Sequence, residues 1–198
     1  CNIGLQLDLS KYSDTAKELL FNSALPGKDI SYNKSSFALD NNATSSDRMM
    51  TAMGQGETLV SPYHMALITS AVANGGRLME PYLVEEVTNY SGTIVEETDP
   101  ESYGQLMTSE EAAQLKAYMQ NVTDYGTGSV FAGSGYSVAG KTGTAEYSDG
   151  DSSKNHSWFV GFTNVDNPEL VISVIIEQAD GSAKAVNIAK KVFDAYYQ

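Results

Sequence analysis

Cysteine and histidine are scarce in this sequence. The 198 residues include one cysteine, Cys1, and two histidines, His64 and His156. A single cysteine excludes an internal disulfide, and it leaves the redox compartment open because many exported proteins also lack disulfides. The three side chains are too far apart in sequence to form a metal site. We therefore expect neither a metal nor a cofactor.

Positive charge and long apolar runs are also lacking. The sequence has 12 lysines and arginines against 25 aspartates and glutamates, which gives a formal net charge of −13. A negative field repels phosphate backbones, so a nucleic-acid partner is not expected. No run approaches the apolar length that spans a bilayer, and no basic and apolar leader precedes Cys1. The hydrophobic fraction of 41% is ordinary for a globular domain with a useful core.

The first residue, Cys1, allows three interpretations. It fits the lipidated residue of a lipoprotein, the first residue of a processed chain, or the start of a truncated one. A lipidated cysteine usually leads into a polar tether, whereas Ile3, Leu5, Leu7 and Leu9 follow at once. This pattern disfavours the lipoprotein interpretation.

Residues 1–136 are predicted to be mainly helical and loop. Residues 24–48 are rich in Pro, Gly, Asn, Ser and Asp without any period, which predicts an irregular surface loop. Ser61-Pro62 is a typical helix start, and Asn74-Gly75-Gly76 is a typical helix end. The other elements predicted here are helices at 14–23 and 109–122 and a β-hairpin with strands at 82–88 and 93–97.

Residues 137–198 are predicted to form three strands and a helix. The strands are 137–147, 157–164 and 170–177, and an amphipathic helix follows at 183–197. The run at 170–177 is almost continuously apolar, which is typical of a central strand covered on both faces. Short connections make the three strands antiparallel neighbours. The expected fold is α+β, part of a single domain in which helices pack on an antiparallel sheet.

The run from Ala139 to Glu146 holds the most informative side chains and allows two interpretations. Residues 135–142 satisfy the phosphate-binding pattern G-x-x-x-x-G-K-[ST], which needs a strand before the loop and a helix at the Lys-Thr. Neither context is predicted, because the preceding loop is rich in glycine and the following residues have no helical period. The phosphate-binding interpretation is therefore the weaker one.

The alternative interpretation makes this run a strand. Lys141 and Gly143 then point to one face, and Thr142 and Thr144 point to the other. Gly143 leaves room for a peptide to lie against the strand edge, where backbone pairing can add a strand. The positive charge of Lys141 can bind a carboxylate or shift the pKa of a nearby group. A backbone N–H after Gly143 can donate a hydrogen bond to a developing oxyanion.

Several motifs in sequence order resemble those of class B penicillin-binding proteins, the monofunctional transpeptidases. Lys-Thr-Gly is one of the motifs typical of penicillin-binding proteins and class A β-lactamases, and the similarity covers nearly the whole chain. The matching segments are 54–56 (GQG), 61–62 (SP), 65–66 (MA), 73–76 (ANGG), 125–128 (YGTG), 138–146 (VAGKTGTAE) and 158–162 (WFVGF).

Two further motifs of this family bear on where the nucleophile lies. Cys1-Asn2 resembles the last two residues of Ser-x-Asn, so the Ser-x-x-Lys motif with the acylated serine is expected upstream of the chain. One local Ser-x-x-Lys, from Ser31 to Lys34, lies in the predicted polar loop. It also follows Cys1-Asn2, whereas the acylated serine is expected before the Ser-x-Asn motif. It is not expected to be the nucleophile, which needs a buried helix start.

The resemblance implies a penicillin-binding and serine β-lactamase-like fold, incomplete at its N-terminus, and a cell-wall function. The parent enzyme would cross-link peptidoglycan stem peptides at D-Ala-D-Ala through a serine acyl-enzyme and would be a target of β-lactam antibiotics. Lys141 and Asn2 would be catalytic, and Lys141, Thr142, Gly143 and Thr144 would bind the substrate. The chain's partners would be the stem peptide, β-lactams and the missing N-terminal part of its domain.

The resemblance also implies a location and leaves alternatives open. The parent would act outside the cytoplasmic membrane on a membrane tether, and this chain alone would be inactive. A β-lactam-recognising sensor or a degenerate binding module would retain the lysine strand without turnover, and a nucleotide-binding protein is the third possibility.

Three aromatic side chains have expected roles outside the candidate site. His156 precedes a predicted strand and is expected to be a solvated loop residue. His64, at a helix start, is expected to be structural. Trp158 alternates with Val160 and Phe162 along one strand face, which predicts a core anchor.

Overall fold

The computed structural model describes residues 9–27, 30–40, 42–146, 155–179, 181 and 184–198. Five α-helices lie within these ranges, and a short 3-10 turn, Ser129–Phe131, separates the fourth helix from the last strands. The described helices are α1 (Leu9–Glu18), α2 (Ser45–Ala52), α3 (Pro62–Ala73), α4 (Ser109–Tyr125) and α5 (Ala185–Tyr196). None of the helices in these ranges is long and apolar enough to cross a membrane.

The strands form three separate antiparallel groups. Two are strand pairs, β1 with β4 and β2 with β3, and the third is a sheet in the order β5-β6-β7. The described strands are β1 (Arg77–Met79), β2 (Glu86–Thr88), β3 (Ile94–Glu97), β4 (Ser102–Gln105), β5 (Val138–Glu146), β6 (Asn155–Thr163) and β7 (Val171–Ala179).

Strand β6 contributes to the buried core on both faces of the three-stranded sheet, because its two phenylalanines point to opposite faces. Phe159 is buried with Val138 and with Phe193 of α5. Phe162, three residues further on, is buried on the other side with Ala139 and with Val72 of α3. Residues an odd number of positions apart in a strand point to opposite faces. The sheet is therefore covered by α5 on one face and by α3 on the other.

Two facing glycines let the Phe159 ring lie flat against the sheet. Gly140 and Gly161 are direct cross-strand partners. A Cβ added at Gly140 would lie 2.5 Å from the Phe159 ring, and one at Gly161 would lie 2.9 Å from it. These distances are well inside van der Waals contact. The strand that carries Lys141 thus depends on a backbone without side chains at this point.

Helix α3 begins and ends at the predicted signals. The Ser61 hydroxyl accepts a hydrogen bond from the His64 amide at 3.2 Å, and Pro62 is the first helical residue. The helix ends at Ala73 with Asn74 as its C-cap, and Gly75 and Gly76 follow with φ of +64° and +89°. A second buried cluster joins α3 to the β1/β4 pair and consists of Leu25, Leu67, Ala71, Leu78 and Leu106.

Polar contacts hold the C-terminal helix in place. The Tyr136 hydroxyl donates to Asp194 Oδ1 at 2.6 Å, and Lys190 contacts the same carboxylate at 2.8 Å. Burial and this hydrogen bond raise the pKa of Tyr136 to about 12. The hydroxyl therefore stays protonated and remains a donor at neutral pH.

The α+β class with helices on an antiparallel sheet is confirmed, and most predicted elements are present with shifted ends. The helix predicted at 14–23 is present with the wrong bounds, because α1 covers Leu9–Glu18 and positive φ values at Leu20 and Asn22 interrupt any continuation. The predicted loop 24–48 contains the start of α2, where Thr44 and Asp47 form a capping box. The prediction missed both α2 and the β1/β4 pair.

The predicted central strand is not central within the described part of the sheet. Strand β7 pairs with β6 only, and β6 is the middle strand. Residues Val171 to Ile176 are half-buried, so their apolar side chains are only partly covered by the described elements. The apolar composition of this run therefore indicated that the strand is at least partly buried. It did not indicate where the strand lies among the described strands of the sheet.

Candidate active site

Strand β5 forms one edge of the three-stranded sheet. It pairs along its whole length with β6, from Val138 opposite Thr163 to Glu146 opposite Asn155. On its other side no strand pairs with it in the described ranges. A free strand edge offers backbone donors and acceptors to an added strand. The lysine run therefore lies where an extended peptide can bind.

The side chains of the run divide between the two faces. Thr142 and Thr144 have the same parity as Val138, which packs in the α5 core. Lys141 and Gly143 have the parity of Ala139, which packs in the α3 core. Because side chains alternate along a strand, the lysine lies on the α3 side and the threonine hydroxyls lie on the α5 side.

Side chains reach the backbone of β5 at two alternate carbonyls. Lys141 Nζ donates to the carbonyl oxygen of Thr142, and Gln55 Nε2 donates to that of Thr144 at 3.2 Å. Residues two apart in a strand direct their backbone groups to the same side. We infer that the N–H groups of Thr142 and Thr144 also face the free edge, where an anionic oxygen can accept from them.

The loop after α4 reaches β5 from the α5 side. Thr123, near the end of α4, donates its hydroxyl hydrogen bond to the Val138 carbonyl. Four residues later the hydroxyl oxygens of Thr127 and Thr142 are 2.5 Å apart. Side chains at the flanking glycines would crowd the helix end, since a Cβ at Gly126 would lie 2.9 Å from the Val122 carbonyl. The glycines thus allow Thr127 to approach the strand.

A cavity of about 230 Å³ opens beside these hydroxyls. It is smaller than the roughly 300–1,000 Å³ of typical ligand pockets. Its polar lining can bind a carboxylate or amide through hydroxyl and ammonium donors. The lining includes Thr127, Thr142, Gly143, Thr144, Ser157, Trp158 and Lys184.

Two residues of β6 differ from their predicted roles. His156 lies inside the strand, not before it; its Nδ1 accepts from the Gln178 amide at 3.2 Å, and it lines the cavity. Trp158 is half-buried beside the same cavity, not a core anchor. It is opposite Gly143, where an added Cβ would lie 3.2 Å from the Trp158 Cβ. Phe159 and Phe162 fill the core instead.

The structure also bears on the rejected motifs. Residues 138–146 form a strand with no helix at Lys141, which contradicts the phosphate-binding interpretation. Ser31 and Lys34 are exposed and lie outside any helix, as expected for a loop. Asn2, the predicted catalytic asparagine, lies outside the described residues with Cys1. No group of metal-binding side chains occurs among the described residues.

Sequence reasoning missed Gln55 and Thr127 as contributors to this site. Both lie in segments that carry the family resemblance, 54–56 and 125–128, but neither side chain was given a role in the site. Gln55 is 89 positions from Thr144 and Thr127 is 15 positions from Thr142. No periodicity within one segment predicts such contacts. The signal that could have found them is the pairing of a polar side chain with flanking glycines in both segments.

Comparison with known proteins gives one family over almost the whole chain. A family model described as penicillin binding protein transpeptidase domain matches residues 1–196. The peptidoglycan D,D-transpeptidase MrdA of Haemophilus influenzae is 33% identical over 169 residues, which cover 76% of this chain and 26% of that protein. The stage V sporulation protein D of Bacillus subtilis is 33% identical over 140 residues, which cover 69% of this chain and 22% of that protein.

Solved structures agree with the sequence comparison. The imipenem acyl-enzyme of penicillin-binding protein A from M. tuberculosis superposes with a TM-score of 0.81 at 25% identity, covering 98% of this chain and 43% of that one. The D,D-transpeptidase domain of a peptidoglycan glycosyltransferase from Eggerthella lenta gives 0.80 at 28% identity, with 98% and 49% covered. The chain spans about a quarter of the curated relatives it matches.

Proposed function

The chain belongs to the penicillin-binding protein transpeptidase family, and from this premise we propose that it carries one wall of a peptidoglycan D,D-transpeptidase active site. The observation that supports the proposal most is the position of Lys141-Thr142-Gly143 on the free edge of the sheet. The relative from Haemophilus influenzae is itself a peptidoglycan D,D-transpeptidase. The substrate is a stem peptide that ends in D-Ala-D-Ala.

The reaction takes place in two acyl-transfer steps. A serine oxygen attacks the carbonyl carbon between the two alanines, the peptide C–N bond breaks, and the terminal alanine leaves with a proton on its amine. The amine of a second stem peptide then attacks the ester, forms a new amide and returns the proton to the serine. Both steps pass through a tetrahedral oxyanion that the Thr144 N–H stabilises by donating a hydrogen bond.

The residues of β5 bind the anionic end of the substrate. Lys141 supplies the positive charge on the α3 side of the strand, in a chain whose net charge is −13. The Thr142 hydroxyl, held by Thr127, and the hydroxyl of Thr144 donate to the terminal carboxylate from the other side. Asn2 contacts the substrate amide. β-Lactams enter the same site as mimics of the dipeptide, as in the imipenem acyl-enzyme of the M. tuberculosis protein.

Gln55 positions the oxyanion donor. Its amide donates to the carbonyl of Thr144, the residue whose N–H we assign to the oxyanion. A hydrogen bond to this carbonyl holds the backbone at Thr144 in one orientation before the substrate binds, and a fixed donor costs no reorganisation during the reaction. Gln55 is therefore a positioning residue.

The remainder of the domain completes the site. The nucleophilic serine and its lysine partner precede Asn2, and the chain by itself is inactive. The outer edge of β7 and the half-buried side chains of Val171 to Ile176 are where the preceding part of the domain packs. The intact protein acts on the outer face of the cytoplasmic membrane, where its substrate is assembled into the cell wall.

The test is the rate at which labelled penicillin acylates the intact protein with and without Lys141. We expect Lys141→Ala to slow acylation by about 100-fold or more, because a preorganised charge at the reaction site is lost. Lys191→Ala, which removes an exposed lysine on α5, should retain the parent rate. Acylation of Lys141→Ala at the parent rate, with an unchanged melting temperature, would remove Lys141 from the site.

A further inference from the structure

The segment between β1 and β4 projects as a hairpin that we call the acidic hairpin, residues 81–100. It leaves β1 and returns to β4, whose ends are joined by a hydrogen bond from the Glu80 N–H to the Glu101 carbonyl at 2.8 Å. Its tip is fixed by Asn89, whose side chain accepts from the N–H groups of Ser91 and Thr93. Its geometry is that of a formed element and not of a structureless loop.

Neither face of the acidic hairpin is covered within the described structure. Every residue from 82 to 97 is exposed, although antiparallel strands usually pack one face on a core. Leu83 is 77% exposed and Val95 is 62% exposed. The other large apolar side chains exposed on it are Tyr82, Val84, Val87, Tyr90 and Ile94. Such a concentration of apolar side chains on one projection is typical of a protein-interaction surface.

The charge of the acidic hairpin has one sign. Residues 81–100 contain Glu85, Glu86, Glu96, Glu97 and Asp99, and no lysine or arginine occurs between Arg77 and Lys116.

Two of these acidic residues face each other across the strands. The strand register places Glu86 directly opposite Glu97, a like-charge pair that destabilises a hairpin on its own. No lysine or arginine of the described residues forms an ion pair with either glutamate. A cation supplied by a partner would relieve this repulsion.

We propose that the acidic hairpin docks on a separate protein whose surface combines lysine or arginine with apolar side chains. The apolar side chains contribute buried area, and the glutamates select a basic partner by charge complementarity. A second copy of this chain does not fit, since it would present the same acidic surface and a net charge of −13. An anionic lipid surface is repelled for the same reason. The proposal does not depend on the acyl-transfer chemistry, because the acidic hairpin includes none of the site residues.

The test is photo-crosslinking from defined positions of the full-length protein in living cells. A photoreactive residue replaces Tyr90 at the tip or Val87 on the strand, and one at Asp124, exposed on α4, is the control position. We expect crosslinks from positions 87 and 90 to one protein, at a peptide that mass spectrometry shows to contain lysine or arginine among apolar residues.

A charge-reversed variant tests the electrostatic part of the proposal. Glu86→Lys with Glu97→Lys keeps a like-charge pair across the strands, so the intrinsic stability of the hairpin is matched while its sign is reversed. We expect the crosslink yield to fall by about ten-fold or more. The single variant Asp124→Lys should leave the yield unchanged.

Several outcomes would overturn the proposal. They are crosslinks to a second copy, to lipid or to another part of the same chain, and a yield no higher than from position 124. A partner peptide without basic residues, or a yield unchanged by charge reversal, would also overturn it. Replacing residues 81–100 by Asn-Gly, a favoured two-residue turn, should abolish the crosslinked partner's co-purification while penicillin acylation remains at the parent rate.

Discussion

At the scale of single residues, the site depends on contacts between segments that are distant in sequence. Lys141, Thr142 and Thr144 were predicted from one motif, and their alternate faces follow from strand geometry alone. Gln55 and Thr127 add the contacts that hold this strand and its hydroxyls. A strand motif specifies which groups face the substrate. The loops that pack on the strand determine whether those groups are held in a fixed geometry.

Gln55 provides the sharpest residue-level prediction. Gln55→Leu in the intact protein should slow penicillin acylation by about 5-fold, the effect of losing one hydrogen bond of about 1 kcal/mol. The melting temperature should be nearly unchanged, since the side chain is only partly buried. Gln114→Leu, a matched change at an exposed position of α4, should have no effect on the rate. Equal rates for Gln55→Leu and the parent would show that Thr144 needs no support from this side chain.

At the scale of elements, short sequence signals predicted the features that depend only on neighbouring residues, such as the ends of a helix. Ser61-Pro62 and the glycines after Ala73 gave α3 nearly to the residue, because caps and φ requirements act within a few positions. The end of α1 was not predictable in this way. The residues with positive φ that follow it, Leu20 and Asn22, are not glycines, so the sequence does not mark the turn. The position of β7 in the sheet also depends on its neighbours, and composition alone does not indicate which strands pair with it.

The glycine pair in β5 and β6 gives an element-scale prediction. Gly140→Ala places a Cβ 2.5 Å from the Phe159 ring and should lower the free energy of unfolding by about 1–3 kcal/mol, which is typical of overpacking. Gly135→Ala is the matched control, because a Cβ there meets nothing within 4 Å. Urea unfolding of both variants measures the difference. Equal stability of the two would show that β5 adjusts freely at Gly140.

The junction of α1 and α3 should make stability depend on pH. His64 is buried, and its Nε2 is 2.6 Å from the Leu19 carbonyl. Burial holds the pKa of His64 below its ordinary value of 6.5, so below that pH the unfolded chain binds a proton that the folded chain does not. The contribution of the neutral His64 ring to the free energy of unfolding is therefore fully present above pH 6.5, and it decreases as the pH falls below that value.

The measurement is urea unfolding at about pH 7.5 and about pH 5.5. The parent should lose more unfolding free energy between these values than His64→Gln, which has no titrating ring at this position. An identical pH dependence in the parent and His64→Gln would contradict the assignment.

At the scale of the whole molecule, the proposed function makes the described structure one side of a larger domain. The chain covers 43% and 49% of the two solved structures compared above. Its sheet has an outer edge on β5 with the candidate site and another on β7 with half-buried apolar side chains. The two edges serve different purposes in the proposed function, because one binds substrate and the other binds the rest of the domain.

The central claim is that this chain provides the substrate-binding wall and a preceding segment provides the serine. Intact-mass and peptide mass spectrometry after incubation with penicillin test it most directly, on this polypeptide alone and on the longer protein. The account predicts no covalent adduct on this polypeptide, and one adduct on the longer protein at a serine that precedes Asn2. An adduct on any residue of this polypeptide alone, such as Ser31, would contradict the account.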